Sequence, residues 1–92
     1  MDLTFGDRVS VSKKYKRILN KKYKSWQPAE YVRSNCIYLG KRRLSNGEIW
    51  IDYEEGTTYK PLEYFMAALV CADEKSKPVY VPLTSISPAW HF

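Results

Sequence analysis

The chain has 92 residues, which is enough for one small domain that buries about two-thirds of its unfolded surface. Apolar residues make up 45% of it, its mean hydropathy is −0.49, and no apolar run approaches the roughly 20 residues of a spanning helix, so a membrane protein is not expected. Residues 1–47 carry twelve Lys and Arg against three acids (net +9), whereas residues 48–92 carry three Lys against seven acids (net −4), which predicts an acidic partner or mutual attraction of the two halves.

The opening segment is predicted to form the first strand. In residues 5–12, FGDRVSVS, Val9 and Val11 share one face with Phe5, Arg8 and Ser10 share the other, and Gly6-Asp7 is a turn signal. The first residues include an early acid and no apolar core of a leader, so a signal peptide is not expected.

A strongly basic segment with interspersed rings, KKYKRILNKKYKSW, follows at residues 13–26. Its apolar residues fall at helical spacing, but Asn20 interrupts the pattern and Ser12 is the one candidate N-cap. The segment is therefore either a short helix or an irregular or hairpin-like excursion, which Gln27-Pro28 ends.

The strongest local signal lies in residues 37–53, IYLGKRRLSNGEIWIDY. Asn46-Gly47 between two β-favouring runs predicts a hairpin with a two-residue type I′ turn, in which Gly47 has positive φ. The resulting register predicts a core face with Leu44, Ile49, Ile51 and Tyr53, and an opposite face with Arg43 stacked on Trp50 and Lys41 paired with Asp52. Arg42 falls on the core side and is expected at an edge, with its guanidinium in water.

The rest of the chain predicts two more strands and a turn. Residues 62–73, LEYFMAALVCAD, form a long strand because β-branched and aromatic residues outweigh the helical propensity of the first part. After a turn in DEKSKP, VYV between Pro78 and Pro82 is a short edge strand. One 3₁₀ turn in TSISP closes the domain, and the final AWHF requires a packing surface.

Catalysis, cofactors and metals are not expected. Cys36 and Cys71 are either two reduced buried thiols or one disulfide, and the first is favoured because small secreted domains usually carry more cysteines. The chain has no Cys/His cluster and no glycine-rich phosphate loop, and Glu54 and Glu55 would point to opposite faces of a strand. We therefore expect a protein that is not an enzyme.

Five short strands with close turns predict an all-β fold with one domain over residues 1–92. GDRVSV at the start, SNG in the centre and YVPLTSIS near the end occur in an order that resembles a small five-stranded SH3-like barrel of the Tudor, KOW or chromo type. The resemblance implies that residues 13–35 are its first long loop. With PVYVP near its end, the chain is also similar to short proteins encoded by bacteriophages. This resemblance implies a cytoplasmic location, which for a phage protein is the cytoplasm of the host cell.

The basic and aromatic residues form the candidate binding site. Lysines displace counterions from phosphates and exposed rings stack on bases, so we expect a module that binds nucleic acid or a nucleoprotein complex. The candidate residues are Lys13, Lys14, Tyr15, Lys16, Arg17, Lys21, Lys22, Tyr23, Lys24, Trp26, Arg33, Lys41, Arg42, Arg43 and Trp50.

Other interpretations of the same residues stay open. An SH3-like barrel with these rings could be a phage-type inhibitor or adaptor that binds a host protein, for example a CRISPR-type nuclease or another defence enzyme. It could also be a reader with an aromatic cage. Alternatively, the rings cap the fold and the lysines only solvate its outside.

Overall fold

The computed structural model describes residues 2–89, which form an all-β molecule. Its elements in chain order are β1 (Arg8–Leu19), β2 (Tyr23–Asp52), β3 (Gly56–Cys71), β4 (Val79–Pro82), a 3₁₀ turn (Leu83–Ser85) and β5 (Ile86–Pro88). All strand pairs are antiparallel and form one sheet in the order β4-β3-β2-β1-β5. Trp90, His91 and Phe92, for which the sequence analysis expected a packing surface, lie outside the described range.

The sheet is open but strongly curved. Its two edges are β4 and β5, which are joined by the three residues of the 3₁₀ turn. The edges of a flat five-stranded sheet would lie about 19 Å apart, whereas three 3₁₀ residues span about 6 Å. The sheet therefore curls until β4 approaches β1, and these two strands are in contact.

Strand β2 bends and belongs to two hairpins. Residues 24–37 pair with β1 and residues 37–52 pair with β3. Thirty extended residues would span about 100 Å, yet the molecule is 54 Å long, so β2 folds back. The bend contains Asn35 with φ 60°, Gly40 with φ 132°, and a register shift between Tyr38 and Gly40.

The core lies where the two halves of β2 meet the other strands. Val9 and Val11 share a buried face, as predicted, but Phe5, which was predicted on the same face, lies before β1 and is exposed. The cluster is completed by Cys36, Tyr38, Ala68, Val70, Val81 and Ile86. Cys36 and Cys71 are free and buried, which confirms the prediction of two reduced thiols. The predicted long apolar strand, the short strand VYV and the 3₁₀ turn are also confirmed.

The predicted turn at Asn46-Gly47 is wrong, because both residues lie inside β2 and pair with Glu63 and Pro61. Gly47 is buried, and its α-carbon lies against the carbonyl of Lys60 and the ring of Tyr59. Glycine is needed here for close packing and not for positive φ. The chain instead turns at residues 53–55, and Gly56 supplies the positive φ of 92°.

The register that followed from that turn is also wrong. Leu44 is buried as expected, but it pairs with Phe65, and Trp50 pairs with Thr58. Lys41 pairs with Ala68, and Asp52 pairs with Gly56. Ile51 and Tyr53 are exposed, not part of the core. Arg43 lies over the ring of Tyr64, and Arg42 pairs with Ala67 and is exposed.

The predicted long loop over residues 13–35 is replaced by a β-hairpin, so the helical interpretation is wrong and the hairpin-like one is confirmed. Strand β1 continues to Leu19 and pairs with the first part of β2. The side-chain oxygen of Asn20 accepts hydrogen bonds from the backbone amides of Lys22 (2.8 Å) and Tyr23 (2.7 Å). Asn20 thus forms the turn of a hairpin, where such a side chain replaces a backbone acceptor.

Candidate binding surface

The cations of residues 13–24 lie on a two-stranded hairpin, which we call the basic ribbon (residues 13–30). Paired residues of antiparallel strands share a face, and successive residues alternate between faces. Lys14 pairs with Ala29 and Lys16 with Gln27 on one face, which we call the outer face. The other face, the inner face, carries Lys13, Tyr15, Arg17, Lys24 and Trp26. The seven cations are therefore divided between two faces and the turn.

The inner face packs on the rest of the molecule through its rings. The ring centroids of Tyr15 and Phe65 are 5.1 Å apart, and Trp26 meets Tyr80 edge-on at 5.3 Å. The ammonium of Lys24 lies 4.1 Å from the centroid of the Tyr59 ring. Tyr15 and Trp26 are half-buried in these contacts, so they hold the ribbon against the body of the sheet.

Two cations of the candidate site share one ring that the sequence analysis did not single out. The Lys14 ammonium and the Arg33 guanidinium carbon lie 4.9 Å and 4.8 Å from the centroid of Tyr31. Tyr31 also packs against the core cluster, so its ring is a fixed platform. Its place beside Lys14 depends on the pairing of β1 with β2, which the expectation of a loop concealed.

The turn of the ribbon meets the second half of β2. Lys21 and Lys22 are exposed, Tyr23 is 48% exposed, and the carbonyl of Lys22 accepts a hydrogen bond of 2.7 Å from the amide of Ile49. Trp50, the next residue, is 57% exposed, and its indole N–H donates to a carboxylate oxygen of Glu48 at 3.0 Å. The structure therefore brings Trp50 near the ribbon turn.

Lys41 and Arg43 are not on this surface, whereas Arg42 shares a side of β2 with Leu44 and is exposed. Leu44 and its partner Phe65 face the ribbon through Tyr15, so Arg43, one residue earlier, points to the opposite side of β2. Lys41 shares that side with Arg43, and Arg42 donates a hydrogen bond to the carbonyl of Lys41. The fifteen candidates thus occupy two sides of the molecule, and only the ribbon, Arg33 and Trp50 lie in one region.

Several carboxylates have neutral hydrogen-bond donors as their partners. Asp7 accepts a hydrogen bond from the backbone amide of Thr4, and Glu48 accepts one from the indole of Trp50. Asp52 accepts from the backbone amide of Glu54, and Asp73 from that of Lys75. Glu63 accepts from the side chain of Asn46. In these contacts the acids satisfy turns and local donors. The recorded partners of Lys14, Lys24, Arg33 and Arg43 are tyrosine rings, which leave the positive charge in place.

Residues 2–89 contain no group of three His, Cys, Asp or Glu side chains that could hold a metal ion. In the same range, no helix has the length and apolar character needed to cross a membrane. The fold and surface define an all-β protein with one curved antiparallel sheet and a basic β-hairpin. Comparisons with protein-family models, curated proteins and solved structures found no match to this chain.

Proposed function

We propose that this protein is a non-catalytic module that binds nucleic acid, alone or in a nucleoprotein complex, on the outer face and turn of the basic ribbon. We also propose that its curved sheet is an SH3-like barrel. The strand order supports this assignment, as does the 3₁₀ turn after which β5 returns to pair with β1.

The proposal rests on the concentration of cations on the ribbon. Residues 13–30 contain seven Lys and Arg and one acid, Glu30. Lys14 and Arg33 lie 4.9 Å and 4.8 Å from the centroid of the same ring, so their charges are at most about 10 Å apart. A phosphate beside this ring would be attracted by both.

The length of the ribbon suits a short stretch of nucleic acid. Lys14 and Lys16 are two residues apart on one strand, which separates them by about 7 Å, and the turn at Asn20 lies about 20 Å from Lys14. This distance corresponds to roughly six nucleotides at 3.4 Å each. Lysine is a point charge without the fork that reads base edges, so the contacts are to backbone phosphates.

One exposed ring and one acidic segment set the limits of the site. Tyr23 lies at the turn beside Lys22 and offers a surface on which a base could stack, worth about 1–3 kcal/mol. Asp52, Glu54 and Glu55 lie beyond the contact of Lys22 with Ile49 and would repel phosphates. The bound strand is therefore expected to run from the ribbon turn toward Arg33.

Fluorescence anisotropy with labelled single strands and duplexes at several salt concentrations tests the proposal. Five phosphate contacts, from Lys14, Lys16, Lys21, Lys22 and Arg33, predict a log–log salt slope of about −3.5 for a single strand and about −4.5 for duplex DNA. The double variant Lys21→Glu/Lys22→Glu removes two of them and should weaken binding and reduce the steepness of the single-strand slope by about 1.4.

The control variant is Lys75→Glu/Lys77→Glu, which changes the net charge by the same amount at the turn between β3 and β4. It should lose little affinity and keep the slope of the unmodified protein. Binding that does not depend on salt, or equal weakening by both double variants, would contradict a site on the ribbon.

A second candidate function, an inhibitor or adaptor that binds a host protein such as a defence nuclease, has separate support. Strand β4 pairs with residues 67–70 of β3, so within the described residues 2–89 one edge of residues 57–66 has no strand beside it. Leu62, Tyr64 and Met66 are exposed along this segment. A partner that adds a strand at this edge would be lost in a pull-down with Tyr64→Ala/Met66→Ala but retained with Lys21→Glu/Lys22→Glu. The reverse result would contradict this candidate.

A further inference from the structure

The hairpin of β2 and β3 extends beyond the basic ribbon. The ribbon ends where the carbonyl of Lys22 accepts the hydrogen bond from Ile49. Past this point, in the part of the chain that the structure describes, residues 50–58 pair only with one another, as Trp50 does with Thr58 and Asp52 with Gly56. We call this segment the acidic tip, because it contains Asp52, Glu54 and Glu55 and no Lys or Arg.

The acidic tip exposes large apolar side chains. Trp50 is 57% exposed, Ile51 60% and Tyr53 fully exposed at 101%. With Glu54, Glu55 and Thr58 they line one concave surface. Aromatic side chains collected at such a place are typical anchors of protein interfaces.

We propose that the acidic tip docks on the basic ribbon of a second copy of this chain, so that the two copies form a symmetric dimer. The same chain carries both complementary charges: three acids and no cation on the tip, and seven cations with one acid on the ribbon. The tip and the ribbon turn adjoin at the contact of Lys22 with Ile49. A two-fold axis near this contact places each tip against the partner's ribbon, as a closed symmetric interface requires.

The area available predicts a weak, reversible dimer. A fully buried aromatic side chain covers about 150–250 Å², so the exposed parts of Trp50, Ile51 and Tyr53 offer on the order of 400 Å² per copy. A stable interface of standard size buries about 800 Å² per partner. Charge attraction therefore supplies much of the specificity, and added salt should favour the monomer.

Sedimentation velocity over a wide range of protein concentrations, at low and high salt, tests the dimer on protein freed of nucleic acid. The unmodified chain should sediment faster as its concentration rises at low salt. Glu54→Lys/Glu55→Lys should abolish this rise by opposing two cationic surfaces. Lys21→Glu/Lys22→Glu should abolish it by lowering the net charge of the ribbon from +6 to +2 and placing two carboxylates at the turn that meets the acidic tip. Trp50→Ser/Tyr53→Ser, which changes no charge, should also abolish it.

Two rescue measurements separate the proposed contact from general effects of charge. The quadruple variant, which combines both charge swaps, keeps the net charge of +5 and should dimerise again. An equimolar mixture of the two double variants should form a heterodimer, because each tip then meets a ribbon turn of opposite charge. A chain that stays monomeric at every concentration, or a dimer that neither charge swap affects, would overturn the proposal.

The dimer and the proposed function can fail separately, although both use Lys21 and Lys22. A monomer that binds labelled nucleic acid overturns only the self-association, and a dimer without such affinity overturns only the nucleic-acid site. If both hold, a single strand added to the dimer should compete for the ribbon and lower its sedimentation coefficient to that of a nucleic-acid-bound monomer. A ternary complex that keeps the dimer intact would contradict docking on the ribbon.

Discussion

Gly47→Ala tests the least expected feature of the fold, the passage of Asn46-Gly47 through the middle of a strand. A Cβ atom at residue 47 would overlap the backbone carbonyl oxygen of Lys60 and lie 2.8 Å from two carbon atoms of the Tyr59 ring. The carbonyl belongs to a paired strand, and so it cannot move without disturbing the pairing of Gly47 with Pro61.

The cost of this substitution can be estimated from the groups that hold Tyr59. Its hydroxyl interacts with the hydroxyl of Ser45 at 3.0 Å and donates to the carbonyl of Ser45 at 3.1 Å, and the Lys24 ammonium lies over its ring. Overpacking costs about 1–3 kcal/mol, and loss of the hydroxyl contacts adds about 0.5–1.5 kcal/mol. Alanine offsets about 0.5–1 kcal/mol of this cost, because it loses less backbone entropy than glycine when the chain folds into a strand. We therefore expect Gly47→Ala to lower the free energy of unfolding by about 2–3 kcal/mol.

Urea unfolding followed by circular dichroism measures this change. A loss of about 2 kcal/mol corresponds to a fall in Tm of roughly 8–16 °C for a domain of this size. Gly6→Ala is the control, because its Cβ would meet nothing within 4 Å, and its positive φ of 91° should cost only about 1–2 kcal/mol.

A double-mutant cycle with Tyr59→Ala decides the cause. If the ring of Tyr59 lies against Gly47, removing the ring relieves part of the overlap, and the two substitutions together should destabilise less than their sum. Strict additivity would refute the packing of Tyr59 on Gly47. It would favour a turn at Asn46-Gly47, in which the two residues need not touch.

Asn46→Ala should lower the free energy of unfolding by about 1–3 kcal/mol in the same urea assay, because the partly buried amide of Trp26 loses its acceptor at 2.7 Å. A loss of stability smaller than that of Asn35→Ala would contradict this role of Asn46 as an acceptor. Burial, together with the neighbouring thiol of Cys71, raises the pKa of Cys36. Alkylation of Cys36 by iodoacetamide in the folded protein should therefore be slow at neutral pH, and its rate should still increase above pH 9. A rate that reaches a plateau below pH 9 would contradict the raised pKa. A hydrogen bond from the backbone amide two residues later lowers the pKa of Asp73 below its usual 3.8. The contribution of Asp73 to stability is therefore present above pH 3.8 and is lost as the pH falls through its lower pKa in the folded protein. Asp73→Asn should remove this part of the decrease in stability at acid pH. An unchanged dependence of stability on acid pH would contradict the lowered pKa.

The parts of the fold that the sequence predicted correctly have strong local causes. Val9 and Val11 alternate with polar residues, which is sufficient to place them on one buried face. Pro78 and Pro82 restrict VYV to a short strand at the edge of the sheet, and the structure has β4 there. Each of these signals depends on a few neighbouring residues, and no distant contact opposes it.

The extended conformation of Asn46-Gly47 inside β2 could not be predicted, because distant residues determine it. Asn46 accepts a hydrogen bond from the amide of Trp26, 20 positions earlier, and donates one to Glu63, 17 positions later. Gly47 is covered by Tyr59. Local preference favours a turn at this pair by a modest amount, which these long-range contacts together exceed.

The candidate site was predicted in composition but not in arrangement. In residues 13–19, KKYKRIL, long charged side chains occupy both parities of a strand, whereas the apolar residues fall at helical spacing, so the local pattern does not indicate a strand. The pairing partner of each residue depends on the turn that Asn20 forms. Only this pairing separates Lys14 and Lys16, on the outer face, from the rings that hold the ribbon on the sheet.

The unequal charge of the two halves of the chain is not cancelled by the contacts that the structure describes for its cations. Lys24, from the basic half, meets the acidic half at the ring of Tyr59, and Lys14 and Arg33 meet a ring of their own half. A ring attracts a cation through its quadrupole and carries no net charge, so the positive field of the ribbon persists. The same reasoning applies to the acidic tip, where Asp52 accepts its hydrogen bond from a neutral backbone amide. Both fields therefore extend into solvent at adjoining ends of one molecule, and this separation of charge is the premise of both proposals.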